Sequence, residues 1–206
     1  QAEDGIRDCL LSRGLGDVYK RQGMTDIYIY PEKSLKVEAQ FAMINKLFSP
    51  SFFNELRSNQ QLGYSVFSLD YDIHDYPVIG MTNVSYNTNL QDLKEKMMEF
   101  QYGFAAALEN IDSKTIKNVK TALLEDLNQK PENIYVEVSS LLNDWGDGNY
   151  DFDSKKTRIK HIANTSKQDL VNLNNKFILD GEFMNVTVQI RGNDFRDTSY
   201  FSWENF

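Results

Sequence analysis

Cysteine is almost missing from this 206-residue chain, and the one present, Cys9, cannot form an internal disulfide or a cysteine-built zinc site. Histidine is nearly as scarce. Neither His74 nor His161 has a second histidine or a glutamate at helical ligand spacing, so the H-E-x-x-H and H-x-x-E-H patterns are both absent. Both are expected to be solvated residues, and this chain should not itself hold catalytic zinc. No apolar run approaches the roughly 20 residues that cross a bilayer, so no membrane partner is expected. Positive charge is also short: 22 Lys and Arg against 30 Asp and Glu leave a net charge of -8, which excludes nucleic acid as the main partner. There is no G-x-S-x-G elbow and no phosphate-cradling glycine loop. The oxygen-rich stretch Asp144, Asp147, Asn149, Asp151 and Asp153 fails as an EF-hand, because Phe152 stands where glycine is required and Arg158 where the closing glutamate belongs.

What is present describes a globular chain. Hydrophobic residues make up 41% and aromatics 13%, enough to bury a core and too much for disorder over most of the length. Residues 1–23 stand apart: Glu3-Asp4-Gly5-Ile6-Arg7-Asp8 and Gly16-Asp17-Val18-Tyr19-Lys20-Arg21 have no helical or strand period and look like translated sequencing-library adaptor. Cys9 lies within that stretch, so the remainder offers no thiol for catalysis either. With no Pro- or Ser-rich linker and no repeat, residues 24–195 read as one domain, followed by a polar tail over 196–206.

Along the chain, Asp26–Tyr30 alternates like a strand. Ser34 can cap a helix carrying Leu35, Ala39, Ala42 and Leu47, and Pro50-Ser51 should restart a short helix through Leu56. Two strands, about 62–72 and 77–86, flank a polar turn. Leu90, Leu93, Met97, Phe100, Phe104 and Leu108 keep a three-four spacing that predicts a long amphipathic helix. Asp112 or Ser113 opens the next, Ile134–Trp145 forms another, and Thr165 with Gln168 matches a capping box ahead of Leu170. A last strand runs over 183–190. The order β-α-β-β-α-α-α-α-β predicts an α+β fold, an antiparallel-rich sheet covered on one face by helices.

The most informative stretch is Leu56-Arg57-Ser58-Asn59-Gln60-Gln61-Leu62-Gly63-Tyr64. It sets an arginine and a tyrosine seven residues apart at a helix-to-strand junction, where two polar tips can meet one ligand. From spacing alone, the better reading is Arg57 as a helix-end cation that compensates terminal carbonyls and Tyr64 as an ordinary strand residue.

These nine residues resemble the L-R-x-x-x-Q-L-G-Y signature of the C-terminal half of insulinase/pitrilysin zinc metallopeptidases, the bacterial pitrilysin-like members above all. Pro50–Glu55, Trp145 with Tyr150-Asp151-Phe152-Asp153, and Thr165–Leu170 extend the likeness over about residues 24–192. The resemblance implies one of four similar α+β domains enclosing a chamber, with zinc held in the first and peptides as substrates. By that match Tyr64 hydrogen-bonds the carbonyl under attack, Arg57 holds the substrate backbone, and Gly63, counted with them as substrate-binding, is a spacer that lets substrate or a neighbouring backbone approach closely. Gln60 departs from the family, which more often carries an acid there. The resemblance makes the N-terminal zinc-bearing half of the same polypeptide the expected partner, leaves this chain without bound cofactor and inactive alone, and leans towards the periplasm. A non-catalytic structural lobe of the same architecture and an independent peptide-binding module are the alternatives.

Overall fold

The computed structural model describes residues 20–178 and 180–202. Most of the stretch set aside from the sequence therefore lies outside the described residues, but its end does not. Strand β1 (Gln22–Ile29) begins at Gln22, four residues before the alternating run, because its ladder with β3 continues to Ser85. Strands β2 (Ser65–Ile73) and β3 (Tyr76–Ser85) form a hairpin, and β4 (Met184–Ile190) closes a four-stranded antiparallel sheet in the order β2-β3-β1-β4. The hairpin turn is tighter than expected. His74 and Asp75 both take positive φ, 51° and 66°, the geometry that matches a two-residue turn to the strand twist. Lys33 pairs with the Asp75 carboxylate at that turn.

Among the described residues six α-helices accompany the sheet. α1 (Leu35–Phe53) starts where the Ser34 hydroxyl accepts from Val37 N at 3.2 Å, as its sequence predicts. Pro50 does not restart a helix; it sits inside α1. The missing proline N–H is tolerated because Phe48 and Phe52, both fully buried with ring centroids 5.1 Å apart, must stay on one helical face to meet Phe100 and Phe104. α2 (Leu90–Glu109), capped by Asn89, buries Leu90, Leu93, Met97, Phe104 and Leu108. α3 (Ser113–Asn128) is capped by Asp112, whose carboxylate accepts from Thr115 N at 2.6 Å. α4 (Ile134–Gly146) buries only Asp144, and Tyr135, Leu142 and Trp145 are exposed. α5 (Ser154–Asn164) was not expected: Ile159 and Ile162 are its only large apolar residues, too few to show a period. Packing against α1 and α3 stabilises it, and Arg158 bonds Glu38 at 2.7 Å.

α6 (Lys167–Ile178) opens one residue later than the capping box at Thr165 would have it. Thr165 instead donates its hydroxyl to His161 O at 2.8 Å and ends α5. Ser166 and Asp169 form the reciprocal box, with Asp169 Oδ2 2.8 Å from Ser166 N and Ser166 Oγ 3.1 Å from Asp169 N. Phe201 is buried, and the Gln189 side chain binds both its N–H and its carbonyl. Among the described residues no helix is long and apolar enough to cross a membrane.

The sheet and its helical layer meet at one buried ion pair. Lys94 of α2 reaches Asp26 of β1 at 2.7 Å, both side chains at 0% exposure, and Thr187 of β4 donates to the second Asp26 oxygen at 2.7 Å. Burial pushes the Lys94 ammonium below its ordinary value, and Asp26 opposes that fall. Lys94→Met should destabilise the fold by about 3–5 kcal/mol in urea titration, since it strands a buried carboxylate, and adding Asp26→Leu should recover most of the loss. A double variant no more stable than the single one would refute this account.

Candidate functional site

After Phe53 the helix widens into a π-helical turn, Asn54–Asn59, which contains Arg57. Leu56 anchors it, fully buried, and accepts through its carbonyl from Leu62 N at 2.9 Å. Gln60 N donates to Glu55 O at 2.9 Å, the five-residue span of a π-turn. Glu55 reinforces the turn from outside. Its carboxylate accepts from Gln60 Nε2 at 2.9 Å and Asn59 Nδ2 at 2.7 Å, and these two donors hold it below the usual carboxylate range. A glutamine at position 60 thus keeps by hydrogen bond a contact that an acid beside Glu55 would repel.

The extra residue of the π-turn redirects Arg57. Its guanidinium carbon lies 4.9 Å from the Phe53 ring centroid and 4.6 Å from that of Tyr64, worth about 0.5–1 kcal/mol for each such exposed contact. The two residues singled out from the sequence therefore meet, face to ring. Tyr64 is 58% exposed. Among the described residues neither its hydroxyl nor the Arg57 N–H groups have a hydrogen-bond or ion-pair partner. Phe53 was missed, although an aromatic four residues before an arginine on a helix is a readable signal.

Gly63 owes its place to the neighbouring strand. Gln61 takes a positive φ of 53°, the chain reverses, and Tyr64 N bonds Val84 O at 3.2 Å. A Cβ on Gly63 would stand 2.1 Å from Val84 O and 2.5 Å from Asn83 Oδ1. The close approach implied for Gly63 is thus made by β3. Asn83 is fully buried, and its amide has no hydrogen-bond partner among the described residues.

His74 lies in the hairpin turn and His161 in the last turn of α5, in separate places. Among the described residues no three or more His, Cys, Asp or Glu side chains are grouped to hold a metal ion. The oxygen-rich loop after α4 instead brings Asp147 against Asp75. Burial and the adjacent Asp75 carboxylate push Asp147 up.

A four-stranded antiparallel sheet with helices on one face, and an arginine–tyrosine pair at the head of its edge strand, make this an α+β domain. Residues 43–142 match the family described as PQQ synthase PqqF-like, C-terminal lobe domain 4. Protease 3 of Salmonella typhi is 26% identical over 154 residues, covering 75% of this chain and 16% of its own length. The A-factor-processing enzyme of Saccharomyces cerevisiae is 27% identical over 158 residues, 77% of this chain and 15% of its own. The crystal structure of pitrilysin shares the fold with a TM-score of 0.83 and 21% identity, over 90% of this chain and 20% of pitrilysin. The family model, the curated relatives and the pitrilysin fold support a C-terminal fragment of an insulinase/pitrilysin-family peptidase. It spans about a sixth of the length of these curated relatives.

Gly63→Ala is expected to lower stability by about 2 kcal/mol or more in urea titration, because the new methyl meets backbone and not a flexible side chain. Stability equal to the parent would show that β3 yields at this point.

Proposed function

We propose that this chain supplies the substrate-gripping pair of a zinc endopeptidase that cleaves oligopeptides inside a closed chamber, with the zinc held by another half of the complete protein. One observation carries the reading: Arg57 and Tyr64 stack on each other at the head of β2 while their hydrogen-bonding ends are unused among the described residues. A guanidinium and a phenol held in this way suit a peptide backbone, whose carbonyls accept from both. Tyr64 donates its O–H to the carbonyl oxygen that gathers negative charge as the carbon is attacked. Arg57, with several N–H donors in one plane, holds the neighbouring backbone. Contact with the Phe53 and Tyr64 rings limits the rotamers of Arg57 before substrate arrives, so less freedom is lost on binding. Glu55, Asn59 and Gln60 position Arg57 by keeping the π-turn closed, without touching substrate.

In the complete enzyme, Tyr64→Phe should lower kcat by about 10²-fold or more, the usual consequence of losing one oxyanion donor, and an unchanged kcat would reject the donor role. Arg57→Ala should chiefly raise KM, because the contact is made in ground and transition states alike. A fall in kcat alone would contradict that role.

A further inference from the structure

β2 is an edge strand of nine residues, paired only with β3 in an unbroken register from Ser65 opposite Val84 to Ile73 opposite Tyr76. Among the described residues, nothing else hydrogen-bonds its main chain. Natural edges of this kind are normally blunted by proline, by charged side chains (lysine above all, or charges that point inward), by a bulge or by a covering segment. Ser65–Ile73 contains no proline and no lysine, and its register has no bulge; its two charges, Asp70 and Asp72, turn away an acidic strand and admit a basic one. The other edge, β4, is different: the segment around Phe201 folds back beside it, and its helix-side residues Asn185, Thr187 and Gln189 are neutral.

The side chains of β2 alternate in chemistry as well as direction. Phe67, Leu69, Tyr71 and Ile73 lie on the open face of the sheet, all exposed, with Leu69 at 52%. Val66, Ser68, Asp70 and Asp72 lie on the helix side. There a cavity of about 290 Å³ opens between β2, α1, α3 and α5, lined by Glu38, Asp70, Asp72, Leu123, Leu127 and Arg158. Arg158 is taken by Glu38 at 2.7 Å, and Asp70 accepts from Asn45 at 2.6 Å. The Asp72 carboxylate has no hydrogen-bond or ion-pair partner among the described residues. The cavity thus holds three carboxylates against one guanidinium.

We infer that β2 takes up an extended peptide as a fifth strand, with apolar side chains over the open face and a lysine or arginine directed to Asp70 and Asp72. The backbone groups of the edge give affinity without regard to sequence, and the alternating faces give the selection. At about 3.4 Å per residue, β2 offers a ladder of about 30 Å, long enough for a peptide of eight or nine residues. The inference rests on the peptide-binding role proposed above, because Arg57 and Tyr64 stand where the peptide leaves the ladder.

The test is titration of the full 206-residue chain with the acetylated, amidated octapeptide Lys-Val-Lys-Val-Lys-Val-Lys-Val, followed by calorimetry and amide exchange. Two further peptides carry N-methyl groups on alternate residues, one in each phase. Only one phase points its N–H groups at β2, so it should weaken binding by about tenfold or more while the other has little effect. Amides of β2 should exchange more slowly with peptide bound. Replacing lysine by glutamate should abolish binding, and Asp72→Asn should weaken the lysine peptide but not its glutamine counterpart. Equal effects of the two phases, or a glutamate peptide that binds as well, would overturn the inference. So would β2 protection that rises with protein concentration without peptide, which marks pairing with a second copy. If phase dependence holds while Arg57→Ala and Tyr64→Phe leave the complete enzyme's kinetics unmoved, strand addition stands and the gripping role fails. The reverse pattern sinks strand addition alone.

Discussion

One ammonium beneath the middle of the sheet decides how the two layers of this fold meet. Lys94 enters from α2, and the Asp26 carboxylate that receives it is also bonded by Thr187 from β4. Neither charge has water to fall back on, so β1, β4 and α2 must keep one relative position for each group to stay satisfied. Apolar packing around it is less particular. The rings of Phe48, Phe52, Phe100 and Phe104 form a contiguous cluster that fills the space between α1 and α2 and would tolerate small slides. The ion pair sets the register, and the aromatics fill the space around it.

That arrangement leaves the sheet one-sided, and the functional reading follows from the asymmetry. The helices bury one face; the other keeps Phe67, Leu69 and Tyr71 of β2, with Val186 and Val188 of β4, at the surface. β2 lies at the margin of both faces, and the π-turn delivers Arg57 to its head. A regular α-helix through Asn54–Asn59 would rotate Arg57 by the angle of one residue, about 100°, away from Tyr64. Gly63 is the counterpart on the strand side, because only a residue without a Cβ can pass so close to Val84 O. Two local irregularities, one in a helix and one before a strand, thus bring together two side chains that no regular element would.

Much of the fold was legible. The three-four spacing of Leu90 to Leu108 matches the buried face of α2, since a helix packing along one stripe must repeat that way. Asp112 is the cap of α3 because a carboxylate just before a helix meets its free N–H groups. The misreadings share a cause. α5 carries too few apolar residues to show a period, and its stability comes from α1 and α3. Thr165 and Ser166 compete for one junction, and Thr165 is used by the helix behind it. Pro50 reads as a break because local propensity says so, yet burial of Phe48 and Phe52 on one face outweighs the lost hydrogen bond.

The amino-acid sequence by itself determined the class of fold, the element order of most of the chain, and the identity of Arg57, Gly63 and Tyr64 as residues to watch. These are matters of local pattern, written in periods of two and of 3.6 and in one short string of residues. Tertiary structure alone decided that Arg57 lies over Tyr64, that β3 is what Gly63 must clear, that β2 stands at an edge of the sheet, and that Asp72 faces a cavity. Each of these depends on contacts between residues distant in the chain, which no local spacing encodes, because they arise only when the helical layer is seated on the sheet.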